Sequence, residues 1–184
     1  VLIDKESNRD QIEYFSQKNK EFFSQMKLKV NNLKNEKKEY LRNLAKKSIE
    51  LISTNGLDLA DFRGSYFPNY LNNIIINDQL YINESIYKSL NGETTLYNKS
   101  LSNSKSDIIE KIRPSLLNNY NEINKTILDI FVLNSFLSHL PSLSLINLIE
   151  NKINKIQSDN NTKLISNFNS ELNSLVKLND APLI

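Results

Sequence analysis

No cysteine and no tryptophan occur among the 184 residues. The lack of cysteine excludes disulfides, thiolate metal sites and cysteine nucleophiles together. It suits a reducing or an oxidising compartment equally well. Three glycines and four prolines are too few for the tight turns that a β-sandwich or barrel of this length needs. A bundle of helices with a handful of loops has no such need. His139 is the single histidine, so a zinc site would lack a second imidazole. A helical di-metal site, which uses Glu-x-x-His on two helices, is excluded on the same ground.

Other chemistry is missing as well. Gly56, Gly64 and Gly92 stand apart, so no glycine-rich loop is available to cradle a phosphate. No serine lies in a Gly-x-Ser-x-Gly elbow, and Ser102-Asn103-Ser104-Lys105 lacks the companion motifs of an acylating Ser-x-x-Lys. No uninterrupted apolar run reaches the ~18 residues of a membrane span. Charge is nearly balanced, with 23 Lys+Arg against 21 Asp+Glu and a formal net charge of +2. Nucleic acid usually demands a strongly basic face, so it is not expected as a partner. These absences argue for a protein that is not an enzyme and holds no cofactor and no metal.

What is present reads as helix. From Asn8 to Thr54, Ile12, Phe15, Phe22, Met26, Val30, Leu33, Leu41, Leu44, Ile49 and Ile52 recur at helical spacing with no Gly or Pro between them. Asn55-Gly56 provides residues that take the left-handed conformation closing a helix. Short helices are expected at Asn69–Ile76, at Asp78–Leu90 with Asp78 as cap, and at Glu93–Ser102. Asp107 with Glu110 has capping-box spacing and opens a second long segment to Leu140. Pro114 should kink or divide that segment, and Pro141-Ser142 should start a new helix at a corner. The stretch Ile127–Leu140 is apolar on several sides and is the expected centre of the bundle. A turn at Ser158–Asn161 and a last helix at Thr162–Leu178 complete a C-terminal antiparallel pair. The fold expected is all-α: an elongated multi-helix bundle of two long helices plus several shorter antiparallel ones. It forms a single domain over 1–184, with tails at 1–8 and 179–184.

Few side chains stand out against this background. Asp58 with Asp61, and Glu36 with Glu39, are read as solvated surface because no nearby group is evident to shift them. His139, ahead of Pro141, suits a helix C-terminus, where positive charge is favoured. Lys34, Lys37, Lys38, Arg42, Lys46 and Lys47 are interleaved with acids and read as a solubilising face. The one local oddity is Phe62-Arg63-Gly64-Ser65-Tyr66-Phe67-Pro68-Asn69-Tyr70. In one reading, the preferred one, its phenylalanines plug the end of the bundle and its tyrosines cover the rim. In the other, Arg63, Tyr66 and Tyr70 form a partner-binding surface, since Arg and Tyr are enriched in binding hot spots.

Asn outnumbers Asp and Glu combined, and Lys far outnumbers Arg. With that bias, the stacked helices, and segments such as Glu39-Tyr40-Leu41-Arg42-Asn43-Leu44-Ala45-Lys46-Lys47 and Phe67-Pro68-Asn69-Tyr70-Leu71, the chain resembles the mature domains of helical outer-surface lipoproteins of Lyme-disease (Borrelia) spirochaetes. The resemblance implies a lipid-anchored protein of the bacterial outer surface that binds host proteins, often complement regulators or matrix components. The membrane would then be met only through an anchor outside this chain, and a homodimer is compatible with it. It carries over no functional residue. Two other readings stand beside it: the extracellular sensory domain of a membrane receptor, and an intracellular helical scaffold.

Overall fold

A computed structural model describes residues 14, 15 and 17–162. The tails at 1–8 and 179–184 and the last helix at Thr162–Leu178 therefore lie outside, or almost wholly outside, the described residues. The fold is all-α. Among the described residues four α-helices follow one another: α1 (Lys20–Thr54), α2 (Tyr66–Asn77), α3 (Glu84–Leu90) and α4 (Asn103–Asp159). Two single 3-10 turns, Leu59–Asp61 and Arg63–Ser65, separate α1 from α2. Where the sequence reading treats 1–184 as one domain, contacts gather the chain into two compact units. One is Met26–Ser138; the other takes in Val1–Gln25 and His139–Ile184.

In Met26–Ser138 the two long helices run antiparallel. Lys37 of α1 pairs with Asp129 of α4 at 2.7 Å, while Ser48, further along α1, accepts a hydrogen bond from Asn119, earlier on α4, at 3.1 Å. From α4 come Ile109, Ile112, Leu116, Tyr120, Ile123, Ile127 and Ile130, all buried. Their alternation of three- and four-residue steps keeps one stripe of the helix facing inward. Leu41, Leu44, Ala45 and Ile52 of α1 face them across the core. Phe67, Tyr70, Leu71 and Ile74 of α2, with Ile86 and Leu90 of α3, complete it.

The other unit, in its described part, carries an aromatic group at the start of α1. Tyr14, Phe15, Phe22 and Phe23 stack edge-on or tilted with centroids 5.3–6.4 Å apart. The Lys18 ammonium lies 4.1 Å over the Tyr14 ring, a favourable cation–π geometry. The Asn19 side chain accepts from the Phe22 N–H at 2.9 Å, an N-cap that starts α1 at Lys20 within the Asn8–Thr54 segment, whose pattern reads as one long helix or two nearly collinear ones. At the other end, α4 closes at Asp159 with Asn161 left-handed (φ 52°). The Thr162 N–H reaches back to the Gln157 carbonyl at 3.0 Å, a Schellman-type closure, and the expected turn at Ser158–Asn161 is there.

Several local expectations are overturned. α4 runs without a break through Pro114 and Pro141. Pro114 and Glu110, whose carbonyl loses its intrahelical partner, are both exposed, a position in which an interior proline costs the helix least because solvent can reach the freed group. His139 consequently lies inside a helix instead of at its C-terminus. The centre of the bundle is not Ile127–Leu140, because Leu128, Phe131 and Val132 are exposed; the fully buried stripe begins earlier, at Ile109. By length and composition α4 is also long and apolar enough to cross a membrane. Counting uninterrupted apolar runs misses this, because Asn and Ser are scattered through it. Asp78 ends α2 in the left-handed region (φ 51°) instead of opening a helix. Asn83 caps α3 in its place, accepting from the Ser85 and Ile86 N–H groups at 3.0 and 3.3 Å. α4 begins at Asn103, one turn before the Asp107 box.

Candidate functional site

The corner at Phe62–Tyr70 is built by a pairing that the sequence reading did not anticipate. Glu93–Ser102, expected to be helical, is not. Phe62 and Tyr97 form an isolated antiparallel bridge, with the Arg63 N–H donating to the Leu96 carbonyl at 3.0 Å and the Asn98 N–H to the Asp61 carbonyl at 3.1 Å. Phe62 and Leu96 are buried. Burying both while satisfying four backbone groups outweighs the weak helical tendency of a short segment. The Asn98 side chain adds a bond to the Ala60 carbonyl at 2.7 Å.

Asp58 and Asp61 are both part of this anchoring: Asp58 stays solvent-exposed, as the sequence pattern reads it, whereas the Asp61 side chain is drawn largely out of solvent, contrary to that reading. The Lys105 ammonium, on the first turn of α4, lies 2.7 Å from Asp61 and 3.2 Å from Asp58. Burial opposes ionisation of the Asp61 carboxyl. The hydrogen bond from Lys105, with a second from the Asp58 N–H at 2.8 Å, outweighs it and holds the carboxyl below its usual range. Part of the basic run on α1 has a comparable role. Arg42 and Lys38 meet Asp78 at 2.6 and 3.2 Å, fixing the end of α2 against α1.

Between this corner and α3 lies a cleft of about 630 Å³. Its floor is apolar: Phe67, Tyr70, Ile86 and Leu96 are all buried. Its walls carry neutral hydrogen-bonding groups, among them Asn69 and Asn73 of α2 and Thr94 and Thr95 of the loop after α3. Two cations reach it, Arg63 and Lys88, and no carboxylate lines it. Lys88 is held by Glu84 one turn back on α3, at 2.8 Å.

All three sequence-derived candidates line this cleft, but they divide by role. Tyr66 is 70% exposed and Arg63 is exposed beside it. Gly64 between them is left-handed (φ +56°), and a Cβ there would meet the Tyr66 ring at 2.7 Å. The glycine thus lets that ring lie back against the turn. Tyr70, by contrast, is 1% exposed and donates to the Tyr81 carbonyl at 3.1 Å. Burial pushes its phenol far above the ordinary value, with Tyr120 and Tyr81 adding to the effect, so it stays neutral. Tyr70 is floor; Arg63 and Tyr66 are rim. The plug and the recognition surface, set out as alternatives, are two sides of one structure.

The far wall is held by tyrosine hydroxyls. Tyr120 donates to the Asn83 carbonyl at 2.6 Å and accepts from the Asn83 N–H at 3.1 Å. Nothing in the local sequence signals this pairing, because the partner of Tyr120 is 37 residues away. Nor did periodicity signal that α3 and the Thr94–Thr95 loop would line the same cleft as Arg63. No family model, no curated protein and no solved structure matches the chain.

Proposed function

We propose that this chain is a non-enzymatic binding protein that recognises a protein partner through the cleft between the Phe62–Tyr70 corner and α3. The observation that carries the reading is the division of the cleft into a rigid apolar floor and an exposed Arg63–Tyr66 rim. Rigid scaffolds that present Arg and Tyr beside a hydrophobic depression are where binding energy concentrates. The lining lacks the carboxylate or histidine that would serve as a general base. Its most buried phenol is held neutral, which favours capture over turnover.

The compositional likeness to spirochaetal surface lipoproteins supports an extracytoplasmic, lipid-anchored setting and host proteins as partners. A signal peptide ending in Cys upstream of Val1 in the gene is the corresponding expectation. A direct test of binding is capture from serum and host-cell extracts by the folded chain and by Arg63→Ala/Tyr66→Ala. Both substituted side chains are exposed, so helicity by circular dichroism should be unchanged while capture falls. Capture that is indifferent to the double substitution refutes the reading. Tyr70→Ala does not serve this test: removing a buried aromatic costs about 3–5 kcal/mol and reports on the fold.

A further inference from the structure

Resting on that reading, we infer that the cleft takes an extended peptide segment bearing an acidic side chain, with Arg63 as the group that recognises the carboxylate. Charge is the first observation. In a chain whose acids and bases nearly balance, the cleft lining holds two cations and no Asp or Glu.

The second observation is the state of Arg63. Arg42 holds Asp78 and Glu39, and Arg113 holds Glu110 at 2.7 Å. The Arg63 guanidinium has no hydrogen bond or ion pair among the described residues. Lys88 already has Glu84. Arg63 is therefore the cation at this rim free to form the two parallel hydrogen bonds that a carboxylate accepts from a guanidinium.

The rest of the cleft suits a peptide. The side-chain amide of Asn69 can donate and accept, as a peptide backbone requires of its partners, and Asn73, whose Oδ1 already accepts from Asn77 at 3.1 Å, keeps its NH2 group as a donor. The Thr95 N–H and carbonyl, two residues before the Phe62–Tyr97 bridge, have no partner among the described residues. They are thus available to main-chain groups of a ligand. The apolar floor accepts a neighbouring side chain, and Tyr66 stands exposed at its rim.

The experiment uses the whole chain and three pools of short, end-capped fluorescent peptides, randomised around a fixed central Glu, Gln or Lys and followed by anisotropy. The Glu pool should bind about tenfold more tightly than the Gln pool, as one charge-assisted pair implies. The Lys pool should bind weakest. Arg63→Gln should abolish the Glu preference, Arg63→Lys should keep part of it, and added salt should narrow it. Equal binding of the Glu and Gln pools, or a preference that survives Arg63→Gln, overturns the inference. So does displacement of the Glu pool by glucuronate at concentrations where acetate has no effect, which would mark a sugar-acid site. If no pool binds yet protein capture still depends on Arg63 and Tyr66, the acidic-peptide inference fails and the binding reading stands. If that dependence is missing too, both fail.

Discussion

Tyr120→Phe isolates the contribution of one hydroxyl to the cleft wall. The Tyr120 ring is fully buried, with the Tyr70 and Phe67 rings at 5.6 and 6.5 Å. Phenylalanine preserves those contacts and the volume. What is lost is chiefly a pair of bonds to one residue, the Asn83 carbonyl at 2.6 Å and the Asn83 N–H at 3.1 Å, with the polar contact to the Asn124 side chain beside them. Each buried backbone group left without a partner costs about 1–3 kcal/mol. Asn83 is half-buried, so water partly compensates and the low end applies, giving about 2 kcal/mol for the two groups together. For a chain of this length that corresponds to a fall in Tm of about 4–8 °C. Urea unfolding followed by circular dichroism reads the change as a lower midpoint at unaltered slope. Tyr70→Phe is the internal comparison. It removes a single bond, to the Tyr81 carbonyl, and should cost about half as much. A loss below about 0.5 kcal/mol for Tyr120→Phe, within the range of an ordinary surface substitution, would refute the claim that this hydroxyl holds the wall. So would a larger loss for Tyr70→Phe.

Two further outcomes concern the frame around the cleft. Pro114 lies inside α4, where proline is disfavoured by about 3 kcal/mol relative to alanine. Pro114→Ala should raise stability by up to about that amount, and a thermal melt showing no gain would contradict a helix continuous through that position. Acid stability should report on Asp78. Burial opposes ionisation of its carboxyl, but the hydrogen bonds and charges of Lys38 and Arg42 prevail and depress it. A carboxyl depressed in the folded state contributes stability that is complete above its unfolded value of about 4 and is lost as pH falls through the lower folded value. The urea midpoint should hold from neutrality to about pH 5 and decline below about pH 4. Asp78→Asn should lower the neutral-pH midpoint and flatten that acid limb; an unchanged limb would show the cluster to be energetically idle.

Local pattern alone determined the helical class, the inward face of α1 at Leu41, Leu44 and Ile52 (though not Leu33, which is exposed) and the closure of α1 at Asn55-Gly56. Those features depend on side chains three and four residues apart and on backbone preferences at single positions, both of which are local and hence legible. The sequence also singled out Arg63, Tyr66 and Tyr70. It did not separate rim from floor, because burial is fixed by residues distant along the chain. Tyr70 is covered by Tyr81 and Tyr120, whereas Tyr66 stays exposed with its ring lying back against the left-handed turn at Gly64.

Tertiary structure also decided cases in which a local preference met a competing contact. Glu93–Ser102 gave up a short helix for backbone pairing with Asp61–Arg63. Asp78 gave up capping for Arg42 and Lys38, and Asp61 was drawn out of solvent by Lys105. Proline is tolerated within α4 at Pro114, which packing leaves on the exposed side of the helix. The cleft itself belongs to this second kind. Its lining comes from α2, the segment between α2 and α3, α3 itself, the 3-10 turn at Arg63 and the loop after α3, segments whose juxtaposition is fixed by packing and by no pattern within any one of them.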